Sequence, residues 1–291
     1  MIGIFDSGFG GLTVLRALTE ALPERRFLYL GDHAAAPYGN RSRDEIHRLT
    51  MASVQCLFIR GCRLVVLACN TAAAISLRRL QQEWLPLHYP DRRILGVLVP
   101  MVEAITGVPW MADLPTQPKD DKKRIVAVFA TQQTVQSRAY PTEIGKRAPD
   151  VTVVQQACPQ LVSLIETNAP REVLRTLVRR YVDALMDQMG GRIPDVAMLG
   201  CTHYPLIADL FVEALPPGLE ILSQPALVAR SLAAYLARHP DLDDTAPTEY
   251  EMRFLTTGDA DRTSALGSQF FGQPVIFRTI NATPEPAIRT A

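Results

Sequence analysis

Short apolar runs alternate with amphipathic helical patterns along most of the chain, and this alternation constrains the fold more than any other feature. Segments 2–5, 27–30, 64–67 and 94–99 read as strands, followed by 125–129, 151–154 and 196–199. Between the first two, Leu12, Leu15, Leu18 and Leu22 fall at three- and four-residue steps, the spacing of one helix face. Ser42 and Glu45 have the spacing of a capping box ahead of a helix carrying Ile46, Leu49 and Ala52. Leu174, Leu177, Val178, Tyr181 and Leu185 share a face before the last strand. Strands and helices in this order predict βαβ units and mainly parallel sheets, an α/β protein.

At 291 residues there is room for roughly two such domains. The Pro- and charge-rich stretch 108–123 reads as a surface loop near a boundary, and 239–250 as another loop. Residues after Ile280 read as a disordered tail. The formal net charge is zero with no run of one sign, so neither nucleic acid nor an anionic membrane surface is an expected partner. No apolar stretch has membrane-spanning length. The opening MIGIFDSG lacks the basic and apolar regions of a signal peptide and reads as the mature start of a cytoplasmic protein. Five cysteines at irregular spacing, with no C-x-x-C pair, fit neither a disulfide framework nor a structural zinc site. Cys56, Cys62 and Cys158 read as small buried hydrophobes.

In open α/β sheets, ligands bind beyond the carboxyl ends of strands. Polar clusters stand at those ends here: Asp6-Ser7-Gly8, Asp32, Cys69-Asn70-Thr71, Thr131 with Thr134, and Cys201-Thr202-His203. DSGFGG at 6–11 suggests a phosphate loop, but Thr13 stands where G-x-G-x-x-G needs its last glycine, and Asp6 puts negative charge where a pyrophosphate would lie. An acid and a hydroxyl there suit an ammonium group instead. PYGNRS at 37–42 is a turn whose Tyr38 and Gly39 are candidates for a pocket wall.

VLACNTA (66–72) and AMLGCTH (197–203) repeat one pattern, an apolar strand ending in a cysteine and polar side chains. A cysteine at a helix N-terminus sits in positive potential, which favours the thiolate. Asn70, Thr71, Thr202 and the nearby backbone N–H groups offer donors to a carboxylate. Cys201 and His203 are too close in sequence for the usual nucleophilic triad without special geometry. Two thiols on facing lobes fit two-base proton transfer at a stereocentre, one removing a proton and the other delivering one. The lysines are Lys119, Lys122, Lys123 and Lys146, none in an evident pyridoxal site, so no cofactor is expected and no metal.

At these residues the sequence resembles the glutamate racemase family of the cofactor-independent aspartate/glutamate racemases. The matching segments are IGIFDSGFGGLTV, LGDHAAAPYG, VVLACNTA, FATQQTVQSRAY, CPQLVSLIE, LGCTHYPLI and FLTTGD, in family order from residue 2 to about 280. The resemblance implies racemisation of L- and D-glutamate by Cys69 and Cys201, the first acting on the D-enantiomer and the second on the L-enantiomer. It implies that Asp6 assists Cys69 and that His203 with Glu166 supports Cys201. Asp6, Ser7, Tyr38, Gly39, Asn70, Thr71, Thr202 and His203 would hold the substrate, with Thr131 and Thr134 contributing donors. It implies two pseudo-symmetric α/β lobes around a cleft, one from residues 1–98 plus 210–280 and the other from 99–209, with 281–291 as a tail. The implied role is supply of D-glutamate for peptidoglycan, and the expected assembly is a homodimer.

The sequence departs from the family at Val99, where an acid is expected, and at ILSQPA near Leu222, where an Asp is expected. Ala73 replaces a common Ser, and the 108–123 loop is longer than usual. GCTH, rather than the GCTE of aspartate-directed relatives, favours glutamate. The alternatives are a racemase for aspartate or a broader amino-acid set, and a degenerate member with a binding or regulatory role.

Overall fold

A computed structural model describes residues 1–112, 124–242 and 252–281. Lys119, Lys122, Lys123, residues 113–123 and 243–250 of the two expected loops and the 282–291 portion of the tail lie outside the described residues. The strands are β1 (Ile2–Asp6), β2 (Phe27–Gly31), β3 (Leu64–Leu67), β4 (Arg93–Gly96), β5 (Arg124–Ala130), β6 (Val151–Ala157), β7 (Val196–Gly200), β8 (Glu220–Leu222), β9 (Arg253–Thr256) and β10 (Phe277–Thr279). The first six helices are α1 (Gly11–Ala21), α2 (Arg43–Ile59), α3 (Asn70–Arg79), α4 (Leu85–His88), α5 (Leu98–Thr106) and α6 (Gln132–Ser137). The rest are α7 (Ala139–Arg147), α8 (Leu161–Glu166), α9 (Arg171–Gln188), α10 (Ala208–Ala214), α11 (Gln224–Arg238) and α12 (Ala260–Phe271).

The strands form two parallel sheets, one in the order β10-β9-β2-β1-β3-β4 and one in the order β6-β5-β7-β8. The chain is thus the expected two-sheet α/β protein. Strands β1, β5 and β7 are buried almost throughout, as parallel strands covered on both faces must be. Alternate residues feed separate cores: Ile2 and Ile4 belong to the core that holds Ala127 and Phe129, and Phe5 to the core that holds Val126 and Val128. Both cores therefore run from one sheet to the other.

Each sheet reverses its winding direction at one strand. β1 lies between β2 and β3, and β5 lies between β6 and β7. At such a switch point the two crossovers leave on opposite faces and open a crevice at the carboxyl ends. Asp6-Ser7 and Cys69 follow β1 and β3, while Thr131 and Cys201 follow β5 and β7. The two switch points thus carry the two cysteine corners.

Local differences from the sequence reading have physical causes. Segment 94–99 does not continue as a strand beyond Gly96, because Val97 turns into the αR region and caps α5. Ser42 Oγ accepts the Glu45 N–H at 3.3 Å, but the Glu45 carboxylate pairs with Arg41, so only half of the capping box forms. β8 pairs with β7, with Ala197 opposite Ile221, and α10 packs on α9. α11 instead packs on α1 and α5. We propose that the second crossing between lobes falls after Leu222, not at 209, giving lobes of 1–98 plus 223–280 and 99–222.

Candidate active site

The first corner is built on a helix start. Cys69 is the N-cap of α3, and its sulfur accepts the Ala72 N–H at 3.4 Å. Ser7 Oγ lies 3.3 Å from the same sulfur. Burial pushes the Cys69 thiol up to about 12, the nearby Asp6 charge adds to that, and the bonds from Ser7 and Ala72 pull the other way. Desolvation wins, so Cys69 rests as a thiol. Asp6 is itself buried and its pKa is raised by desolvation, against the pull of His203. Its carboxylate accepts the Gly8 N–H at 2.8 Å and the Thr202 hydroxyl at 3.3 Å, so it ties the first loop to the second corner.

The second corner is different. After Cys201 the chain makes a turn and a short 3-10 helix at Tyr204–Ile207. Cys201 is therefore not the cap of a helix as Cys69 is; the helical backbone here begins only at Tyr204, with His203 before it. A histidine stands beside the sulfur: His203 Nδ1 lies 3.8 Å from Cys201 Sγ, and Nε2 lies 2.8 Å from Glu166 Oε1. The turn brings sulfur and imidazole together across two residues, a contact that the sequence spacing disfavours. Burial pulls the His203 pKa down, but its bonds to Cys201 and Glu166 outweigh that and hold it up at about 10. Glu166, at the end of α8, is thus paired and largely covered.

Cys69 and Cys201 border one small, partly enclosed cavity. Ser7, Tyr38, Gly39, Asn70, Thr71 and Thr131 also line it, as do Thr202 and His203. Asp6, Thr134 and Glu166 stand behind this lining. Thr71, Thr131 and Thr134 form a hydroxyl cluster, with Thr71 Oγ1 at 2.9 Å from Thr131 Oγ1 and 3.5 Å from Thr134 Oγ1. Tyr38 commits its hydroxyl to Asp32 Oδ2 at 2.6 Å, and Asp32 Oδ1 accepts from Thr257 at 2.6 Å. Val99 sits in the first turn of α5, away from the cavity lining. Lys146 pairs with Glu143 at 2.9 Å. Among the described residues no group of three or more His, Cys, Asp or Glu is arranged to hold a metal ion.

Some contributors are not legible as functional in the sequence. Thr13 donates to Gly10 O at 2.8 Å and approaches Thr202 O at 3.0 Å, so the residue that spoils the phosphate motif ties the glycine loop to the second corner. Pro37, Asn40, Gln132, Pro159 and Val162 add to the lining. The glycine loop is explained by close approach. A Cβ on Gly10 would lie 2.2 Å from Thr202 Oγ1 and 2.4 Å from His203 Nδ1, and one on Gly11 would lie 2.5 Å from Asp6 Cβ.

Glu166→Gln is expected to lower the His203 pKa, because burial then acts with one opposing partner fewer. A raised pKa stabilises the fold fully below the unfolded value of about 6.5 and loses that contribution as pH rises through about 10. The variant should lose it at lower pH. An NMR titration of His203 beside a pH–stability curve checks this, and an unshifted titration would refute it.

This α/β protein of two parallel sheets has the racemase fold. Glutamate racemases of a Caulobacter species and of Phenylobacterium zucineum are 49% and 48% identical over 282 residues, 95% of this chain and 98% of each relative. A Bacillus anthracis glutamate racemase structure matches with a TM-score of 0.80 at 28% identity, covering 97% of both chains. No family model matches the sequence. The chain belongs to the glutamate racemase family, and so to the amino-acid racemases of the isomerase class. Its substrate is a small molecule, and among the described residues no helix is long and apolar enough to cross a membrane.

Proposed function

We propose that the chain interconverts L- and D-glutamate by a cofactor-free two-base route, with Cys69 and Cys201 exchanging the roles of acid and base. One observation carries this reading: two buried cysteines, one from each sheet, border the same cavity. From L to D, the Cys201 thiolate takes the Cα proton, the electron pair left behind spreads into the carboxylate, and the Cys69 thiol protonates the opposite face. One C–H bond breaks and one forms, and thiol and thiolate have changed places. From D to L the steps run backwards. A thiol pushed up to about 12 is a strong base once ionised, which suits a weakly acidic Cα–H.

His203, held protonated by its bonds to Cys201 and Glu166, serves the Cys201 proton, while Asp6 and Ser7 serve Cys69. Ser7 also faces the substrate ammonium, with the Asp6 carboxyl group acting from behind it. Asn70, Thr71, Thr202 and the α3 N-terminus donate to carboxylate oxygens, where charge develops in the transition state. Tyr38, Gly39, Thr131 and Thr134 shape the wall across the cleft. On the family resemblance, the enzyme works in the cytoplasm as a homodimer and supplies D-glutamate for peptidoglycan. A monomeric mass by sedimentation would contradict the dimer, and growth of a deletion strain without D-glutamate would contradict the cell-wall role.

In deuterated water, the purified reduced protein is expected to racemise glutamate with no added cofactor and to place deuterium at Cα of the product enantiomer. Product that keeps its original proton would rule out the two-base route.

A further inference from the structure

The floor of the cleft rests on three buried polar side chains from three separate helices. Asn70 opens α3, Tyr140 lies in α7 and Gln224 opens α11, and each is at most 2% exposed. Asn70 Nδ2 donates to Gln224 Oε1 at 2.6 Å, and Gln224 Nε2 donates back to Asn70 Oδ1 at 2.8 Å. Tyr140 OH donates to the same Asn70 oxygen at 2.8 Å and accepts from Gln224 Nε2 at 3.3 Å. An amide oxygen has two lone pairs and an amide nitrogen two hydrogens. Both lone pairs of Asn70 are therefore used, along with one of its hydrogens. What remains for the cavity it lines is a single N–H.

The alternatives are worse. Turning one amide alone sets oxygen against oxygen and nitrogen against nitrogen in a buried site, where an unpaired polar group costs about 1–3 kcal/mol. Turning both together preserves the pair, but Tyr140 would then donate across 3.3 Å instead of 2.8 Å. Asn70 would also offer the cavity an oxygen, which repels a carboxylate.

We propose that Gln224 and Tyr140 are positioning residues that hold the Asn70 amide as an obligate hydrogen-bond donor to a substrate carboxylate. This rests on the reading that Asn70 holds the substrate. It gives a purpose to the ILSQPA segment, one of the places where the sequence departs from its family. The partners reach Asn70 from the second lobe and from the helix after the crossing, so the donor is set only when the lobes are assembled.

The test is a pair of double-mutant cycles with L- and D-glutamate as probes. Tyr140→Phe and Gln224→Ala are each expected to raise KM for both enantiomers about tenfold, the effect of roughly one lost hydrogen bond, with a smaller change in kcat. In an Asn70→Ala background each is expected to add less than about twofold, because the group they orient is gone. Tyr140→Phe removes one oxygen and keeps the ring, so it remains informative if Gln224→Ala does not fold. If Asn70→Ala leaves KM unchanged, Asn70 does not hold the substrate and the positioning role falls with it. If Asn70→Ala raises KM but the second substitutions add in full, the positioning role alone is overturned.

Discussion

Replacing Cys69 or Cys201 by serine is expected to lower glutamate racemisation by about 10²–10⁴-fold, the usual weight of a positioned acid or base. A hydroxyl ionises far less readily than a thiol, so the base is removed while size and shape are nearly kept. The two variants should fail differently. In Cys69→Ser, the remaining Cys201 can still take the proton of one enantiomer and return solvent deuterium to the same face. Exchange without inversion should then outrun racemisation for that enantiomer. In Cys201→Ser, the other enantiomer should show the same behaviour. Chiral chromatography with NMR at Cα separates the two events. Wild-type racemisation in both variants would end the two-thiol assignment.

Gly10→Ala is expected to be nearly as damaging, although Gly10 carries no chemistry. The new Cβ would stand 2.2 Å from Thr202 Oγ1 and 2.4 Å from His203 Nδ1, far inside contact distance. Those atoms sit at the buried second corner, and Thr202 and His203 are 4% exposed. The loop after β1 would have to withdraw, weakening the Asp6–Thr202 and Thr13–Thr202 links. Overpacking of this kind costs about 1–3 kcal/mol, and misplacing a reacting group by about 1 Å can cost roughly 10²-fold in rate. Gly145→Ala is the matched control: it lies inside α7 with nothing within 4 Å of a new Cβ. That change should stabilise by about 0.5–1 kcal/mol and leave kcat/KM alone. Equal effects at both positions would show that the Gly10 contact does not matter.

Local pattern carries much of the fold. The leucine spacing at 12–22 and the face of 174–185 correspond to α1 and α9, because 3.6-residue periodicity is written within a single segment. β8, β9 and β10 are not legible as strands in the sequence. They have only three or four residues each, and β9 is defined by pairing with β2, more than 200 positions away. The site is legible in the same uneven way. Both cysteine corners stand out because chemistry-bearing residues follow apolar strands. Thr13 and Gln224 show in the sequence only as departures from a motif. Their meaning lies in contacts with Thr202 and Asn70, which no spacing rule reaches. The sequence also suggests matching corners, whereas one sulfur sits at a helix start and the other beside an imidazole.

That inequality has a thermodynamic limit. L- and D-glutamate are mirror images, so in water they have the same free energy and their equilibrium constant is one. The ratio kcat/KM must then be identical in the two directions, however differently Cys69 and Cys201 are served. A corner braced by His203 and Glu166 cannot make one direction more efficient than the other. It can only exchange turnover for saturation, so a faster kcat from one enantiomer must come with a proportionally higher KM for it.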